Sequence, residues 1–184
     1  MNHLDFTKGE CVTLEQMLQA REERVQRQQT LLFKWQKPVV SLTLVIPGQV
    51  KKSCAASTLF QIATQAFETS CKQQEWLVLE RKEHIDITGY EIQMAVGVDD
   101  ARALKRQLLM LEETHMLGRL WDFDVISTRG SISRQDFALP PRRCLICGGI
   151  AHACARSQKH TYEELCHAMA AILKSYMDEN FESV

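Results

Sequence analysis

Two aspartates interrupt an otherwise apolar stretch, GRLWDFDVIS at 118–127. Read as a strand, the stretch alternates faces, so Trp121, Phe123 and Val125 point one way and Leu120, Asp122, Asp124 and Ile126 the other. The Cα atoms of the two aspartates are then about 6.5–7 Å apart on one face. Burying two like charges side by side is costly, so a cation is expected between them. Such a pair can hold one or two Mg²⁺ ions, and paired metals clamp the oxygens of a phosphoryl displacement. Arg129 and Arg134 follow closely and suit bidentate phosphate contacts. Lys51 follows the Pro47-Gly48 turn, a common place for a ligand-facing group. The competing reading is a solvated sheet face whose carboxylates simply pair with arginines.

A second cluster lies in RRCLICGGIAHACARSQKH at 142–160. The spacing Cys144-x2-Cys147-x6-Cys154-x5-His160 could make a Cys₃His structural zinc site, with His152 as a competing fourth ligand. The alternative is a set of reduced, partly buried thiols in a compact loop. No helix start follows Cys144, which disfavours a thioredoxin-like couple.

These residues must be positioned by the elements around them. A long helix is expected at about 14–36, opened by a Thr13/Gln16 capping box. Its stripe 14, 18, 21, 25, 28, 32, 35 is broken by Arg21 and Gln28, with Arg24 on a neighbouring line. VVSLTLVI (39–46) reads as a central strand, followed by a helix at about 53–72. Residues 76–87 and 90–98 read as a hairpin around Thr88-Gly89. A third helix, capped by Asp99 or Asp100, runs to about His115, and the aspartate strand at 119–127 follows. From residue 39 the order is βαββαβ, which predicts an α+β, ferredoxin-like core with two helices on one face. The added N-terminal helix must pack on the open face or an edge. Residues 129–160 form a basic, Cys-rich loop with six basic residues against the single acid Asp136. A C-terminal helix closes the chain at about 161–178, capped by Thr161 and Glu164.

At 184 residues and 45% hydrophobic, the chain fits one domain, 1–184, able to bury its own core. A net charge of −1 gives no general attraction to nucleic acid or membrane. No apolar run approaches a membrane span, and seven cysteines without a secretion signal argue against a disulfide framework. The expected location is cytoplasmic.

Taken together, AREERVQRQQ, IPGQVK, HMLGRLWDFDVIS, ISR and PPRRCLICGGIAHACARSQKH resemble the citrate lyase holo-acyl-carrier-protein synthases, the apo-citrate lyase phosphoribosyl-dephospho-CoA transferases. The resemblance runs from about residue 13 to 175. Met116 stands where that family usually has a proline. The resemblance implies transfer of a phosphoribosyl-dephospho-CoA group from triphosphoribosyl-dephospho-CoA to a serine of the citrate lyase acyl carrier protein, with release of pyrophosphate. Asp122 and Asp124 would then bind Mg²⁺ and serve catalysis. Arg24, Gln28, Lys51, Arg119, Arg129 and Arg134 would meet phosphates. The basic segment could also meet the carrier protein. GRLWDFDVI is in addition similar to the aspartate-pair strand of the ferredoxin-like dihydropterin pyrophosphokinases, which use that pair for two Mg²⁺.

A second reading belongs to another class. In it the chain is a zinc-bearing protein-interaction module without catalysis, and the aspartates are structural.

Overall fold

Strand alternation sorts this protein into an apolar and a polar sheet face, and the two faces recruit different helices. The computed structural model describes residues 4–181. Its elements are α1 (Leu14–Trp35), β1 (Val39–Leu44), α2 (Cys54–Gln73), β2 (Val78–Asp86), β3 (Gly89–Val96), α3 (Ala101–Thr114), β4 (Trp121–Ser127), β5 (Gly130–Ile132), α4 (Ala151–Arg156) and α5 (Tyr162–Phe181). The strands form one antiparallel sheet in the order β2-β3-β1-β4-β5. The fold is therefore mixed α+β, with an N-terminal helix and five strands.

Val40, Leu42, Ile92, Met94, Phe123 and Val125 share one face and are fully or almost fully buried against Leu59, Phe67, Leu104, Leu108, Met169 and Leu173 of α2, α3 and α5. Each such side chain contributes roughly 1.5–3 kcal/mol on burial. The helix starts are chemically marked. Thr13 and Gln16 form the reciprocal capping box at α1, Ser53 caps α2, and Asp100 caps α3. Asp99 instead pairs with Lys37. Among the described residues no helix is long and apolar enough to cross a membrane.

Four expectations are corrected. The sheet has a fifth strand, because Gly130 turns the chain back so that Gly130–Ile132 pairs with Val125–Ser127. The segment 129–160 is not all loop: it holds β5, a 3-10 turn at Arg134–Phe137 and α4. Leu120 does not share the aspartates' face, since it closes a 3-10 turn before β4 and is buried in the main core. The α1 stripe 14, 18, 21, 25, 28, 32, 35 is inward only at its C-terminal half: Leu14 is 76% exposed, Leu18 and Val25 are exposed too, and the buried residues are Gln28 and Leu32 of the stripe with Ala20 and Leu31 beside it. The physical reason is that α1 covers the polar face of the sheet, so its inward side carries polar groups that need polar partners.

Candidate active site

The polar sheet face is a grid set by register. Asp122, Thr43 and Glu91 lie side by side across β4, β1 and β3, and so do Asp124, Ser41 and Gln93. The α1 helix closes one side of this grid through Glu91. Arg24 Nη2 is 2.7 Å from Glu91 Oε1, and Arg27 Nη2 is 2.8 Å from Oε2. Burial alone would raise the Glu91 carboxyl, but Arg24 and Arg27 more than offset it and hold it below the usual carboxylate range.

On the other side, β5 pairs only with the last three residues of β4, leaving the edge at Trp121–Phe123 without a strand. Side chains satisfy it instead. Glu112 Oε1 accepts from the Phe123 N–H at 2.9 Å, Lys105 donates to the Phe123 carbonyl, and Arg142 donates to the Trp121 carbonyl at 3.1 Å. Glu112 is 2% exposed and also binds Arg142 Nη2 at 2.6 Å. That same nitrogen lies 3.1 Å from Asp122 Oδ1. Arg134 is 3.8 Å from Glu112 and 2.6 Å from Glu113. The end of α3 comes this close to β4 because of Gly118, where an added Cβ would sit 2.4 Å from the Glu112 carbonyl oxygen.

The charges in this network are displaced in consistent directions. Burial raises the Glu112 carboxyl, with Arg142 opposing. Burial lowers the Lys105 ammonium. Asp124 is raised, first by the surrounding protein and then by the neighbouring Asp122 charge. Arg142 pairs with Asp122, while Asp124, without an ion pair of its own among the described residues, lies on the floor of the site.

Above it opens a cleft of about 1580 Å³. Arg21, Arg24 and Lys51 line one side, Arg119, Arg134 and Arg142 another, and Lys105, Asp122 and Asp124 the floor. Seven cationic side chains thus face three carboxylates, Glu91 included, which suits a polyanionic ligand. Burial and the nearby Arg21 charge lower the Lys51 ammonium, whose proton donor reaches the Ile46 carbonyl. Of the expected residues, Asp122, Asp124, Arg24, Lys51, Arg119 and Arg134 meet here. Gln28 is nearby but lines a second groove of about 640 Å³, bounded also by Phe33, Ser127 and Ser131; Asp124 borders both spaces. Arg129 lies outside both, on the exposed β4–β5 turn, because the tight turn carries it past the end of the sheet.

Sequence reasoning missed Glu91, Lys105, Glu112 and Arg142. Arg142 stood in the quoted RRC motif but was not singled out. Lys105 and Glu112 are seven apart, two helical turns, beside the leucine stripe of α3, and that was the available signal.

The cysteine cluster forms the far wall. Cys144 Sγ, Cys147 Sγ, Cys154 Sγ and a His160 ring nitrogen all lie within 4.8 Å of one another. This set could hold a zinc ion. His152 lines the cleft and does not belong to the set. Hydrogen bonding from the Gly149 N–H and from Cys154 draws the Cys147 thiol down to about 7.

A family model described as apo-citrate lyase phosphoribosyl-dephospho-CoA transferase matches residues 12–176. Curated proteins of the same description are similar over nearly the whole chain. One from Escherichia coli O1:K1 is 36% identical over 170 residues, covering 92% of each chain. Others, from Escherichia coli strain SMS-3-5 and Shigella boydii serotype 18, are 37% identical over the same length and coverage. A family match across most of the chain and relatives above 30% identity lead to one conclusion: this chain belongs to the apo-citrate lyase phosphoribosyl-dephospho-CoA transferase family.

Proposed function

We propose that the cleft above Asp122 and Asp124 is where this transferase moves its phosphoribosyl-dephospho-CoA group onto the citrate lyase acyl carrier protein. The donor is triphosphoribosyl-dephospho-CoA. A serine hydroxyl of the carrier attacks the phosphorus nearest the ribose, the bond to the next bridging oxygen breaks, and pyrophosphate leaves. The hydroxyl proton passes to solvent or a base, and a phosphodiester remains. The observation that carries this reading is the paired carboxylate floor between two basic walls.

The donor chemistry fits Mg²⁺ at the aspartates. Asp122 and Asp124 offer hard oxygen ligands on one face, and Ser41 Oγ, the cross-strand neighbour of Asp124, is buried without a hydrogen-bond partner. Bound there, Mg²⁺ would neutralise charge on the phosphoryl oxygens. The chain's own residues do the rest. Arg119, Arg134 and Arg142 on one wall, with Arg24 and Lys51 opposite, hold the polyphosphate and stabilise the charge that develops on pyrophosphate. Arg142 also fixes the Asp122 carboxylate. The groove beside Gln28 meets the cleft at Asp124 and offers the carrier hydroxyl a route to the floor of the site.

The reading extends to the frame. The order β2-β3-β1-β4, with α2 and α3 on one face, supports a ferredoxin-like core. A cleft lined from Met17 to Met169 supports one domain. Seven unpaired thiols support a reducing, cytoplasmic location.

The test is pyrophosphate release with apo carrier protein, triphosphoribosyl-dephospho-CoA and Mg²⁺, with EDTA and Asp122→Asn as controls. Release that needs metal and is lost in the variant supports the site. Release that survives both would discard the aspartates while keeping the activity.

A further inference from the structure

We propose that Cys144, Cys147, Cys154 and His160 hold one zinc ion, and that this ion sets the position of the arginine wall of the cleft. The positioning half rests on the cleft being the transfer site; the metal half does not.

The donor geometry comes first. Cys147 Sγ and Cys154 Sγ are 3.6 Å apart. Two sulfurs at about 2.3 Å from a tetrahedral zinc are separated by about 3.8 Å, so the gap is that of two ligands and far too long for a disulfide. His160 Nε2 is buried and has no hydrogen-bond partner, an orphan that a metal bond would satisfy. The Cys144–Cys147 turn is a tight backbone knuckle. The Cys144 N–H donates to the Gly149 carbonyl at 2.6 Å and the Gly148 N–H to the Cys144 carbonyl at 3.3 Å, which closes the turn on itself. Gly148 takes a positive φ of 67°, which glycine adopts without strain.

The second argument is what else could hold this segment. Between residues 141 and 160 only Cys144 is buried, and Ile146 and Ile150 are exposed. The α4 helix has six residues, too short to persist alone. Twenty residues with one buried side chain lack the apolar burial that would offset their ordering entropy. A metal bond set supplies what burial does not.

The third is the connection to the cleft. Arg142 and Arg143 immediately precede Cys144. The Arg142 carbonyl accepts from the Ala151 N–H at 2.9 Å, and Arg143 pairs with Ile150 as an isolated antiparallel bridge. Arg119 donates to the Arg143 carbonyl. The four ligands therefore close a knuckle whose first strand carries Arg142 to Asp122 and anchors Arg119. Zinc acts on the reaction only through these arginines.

The measurement is metal content of the full chain, purified without chelators, by mass spectrometry. One zinc per chain is expected, with loss of it in Cys147→Ser and His160→Ala. Cobalt exchanged into the wild type should give thiolate charge-transfer and tetrahedral absorption bands. A folded wild type with reduced thiols that binds neither ion, or a native Cys147–Cys154 disulfide, overturns the site. Hydrogen exchange then tests positioning. Stripping zinc under reducing conditions should expose amides of 142–160, Ala151 included, while β1, β3 and β4 stay protected. Transfer should fall by about 10²-fold and return with zinc. Unchanged protection and rate in the stripped protein overturn the positioning role. Metal content and exchange are read without substrate, so a failure of the transfer reading cannot be mistaken for a failure of the site.

Discussion

Arg142 and Asp122 face each other at 3.1 Å, guanidinium nitrogen to carboxylate oxygen, and the same nitrogen is 2.6 Å from Glu112. One cation thus ties the floor of the cleft to a buried carboxylate on α3. Arg142→Ala leaves Glu112 buried without its nearest partner, which costs about 3–5 kcal/mol. It also removes charge stabilisation from the cleft, and transfer should drop by about 10²–10³-fold. Glu112→Gln keeps the acceptor for the Phe123 N–H, so the double variant Glu112→Gln/Arg142→Ala should recover stability but not transfer. Urea unfolding and pyrophosphate release separate the two. Recovery of both would mean that Arg142 serves only to neutralise Glu112.

Glu91 plays the corresponding part under α1. It is raised by burial and lowered, more strongly, by Arg24 and Arg27. A carboxylate with a depressed folded value contributes stability above its unfolded value, near 4.3, and loses it as pH falls through the folded value. Glu91→Gln should therefore destabilise the protein at neutral pH by about 3 kcal/mol and by less in acid. Unfolding curves at neutral and acid pH check this. An equal loss at both would show that the pair is not ionic.

How much of this was legible in sequence follows from which rules act locally. Alternation in GRLWDFDVIS put Asp122 and Asp124 on one face, and the structure agrees. The capping box at Thr13 and the succession of the first four strands along the chain needed no long-range information either. The cysteine spacing brought four donors together because a C-x2-C turn is itself local. The failures were non-local. Leu14, Leu18 and Val25 sat on the expected stripe of α1 yet are exposed, because the sheet face beneath is polar; Gln28 and Arg24, named from the polar break, do turn toward it, and Arg27 was missed. Lys105 and Glu112 serve an open strand edge that exists only because β5 is three residues long.

The two arginines that follow the aspartate strand most closely should now behave differently. Arg129 is on the exposed turn and borders neither space, so Arg129→Ala should leave transfer within about twofold, as surface changes usually do. Arg134 lines the cleft and is held by Glu113 at 2.6 Å. Arg134→Ala should lower the rate at least about tenfold. Side-by-side kinetics decide it, and an Arg129 variant as impaired as the Arg134 variant would mean that the turn folds over the cleft in the complex.

At the proposed site, Asp124 and Lys105 together should set the acid side of the reaction. Asp124 is raised by its protein surroundings and by Asp122, and is pulled down in part by Lys105. A raised carboxyl contributes stability to the metal-free fold below its unfolded value, near 3.9, and that contribution is lost as pH rises through the folded value. Asp124→Asn should remove that slope from the unfolding free energy. Magnesium at the proposed site would bind the deprotonated form, so protons would compete with it, and the Mg²⁺ needed for half-maximal transfer should grow as pH falls through the raised value. Lys105→Met removes a cation that lowers Asp124, so the acid limb of transfer should move to higher pH, most visibly at low Mg²⁺. The variant also leaves the Phe123 carbonyl without its donor, at a cost of about 1–3 kcal/mol, so stability must be measured beside the rates. Transfer profiles at several Mg²⁺ concentrations read the effect. A Lys105→Met protein that remains folded and keeps the wild-type acid limb would show that Asp124 does not carry the metal-linked proton.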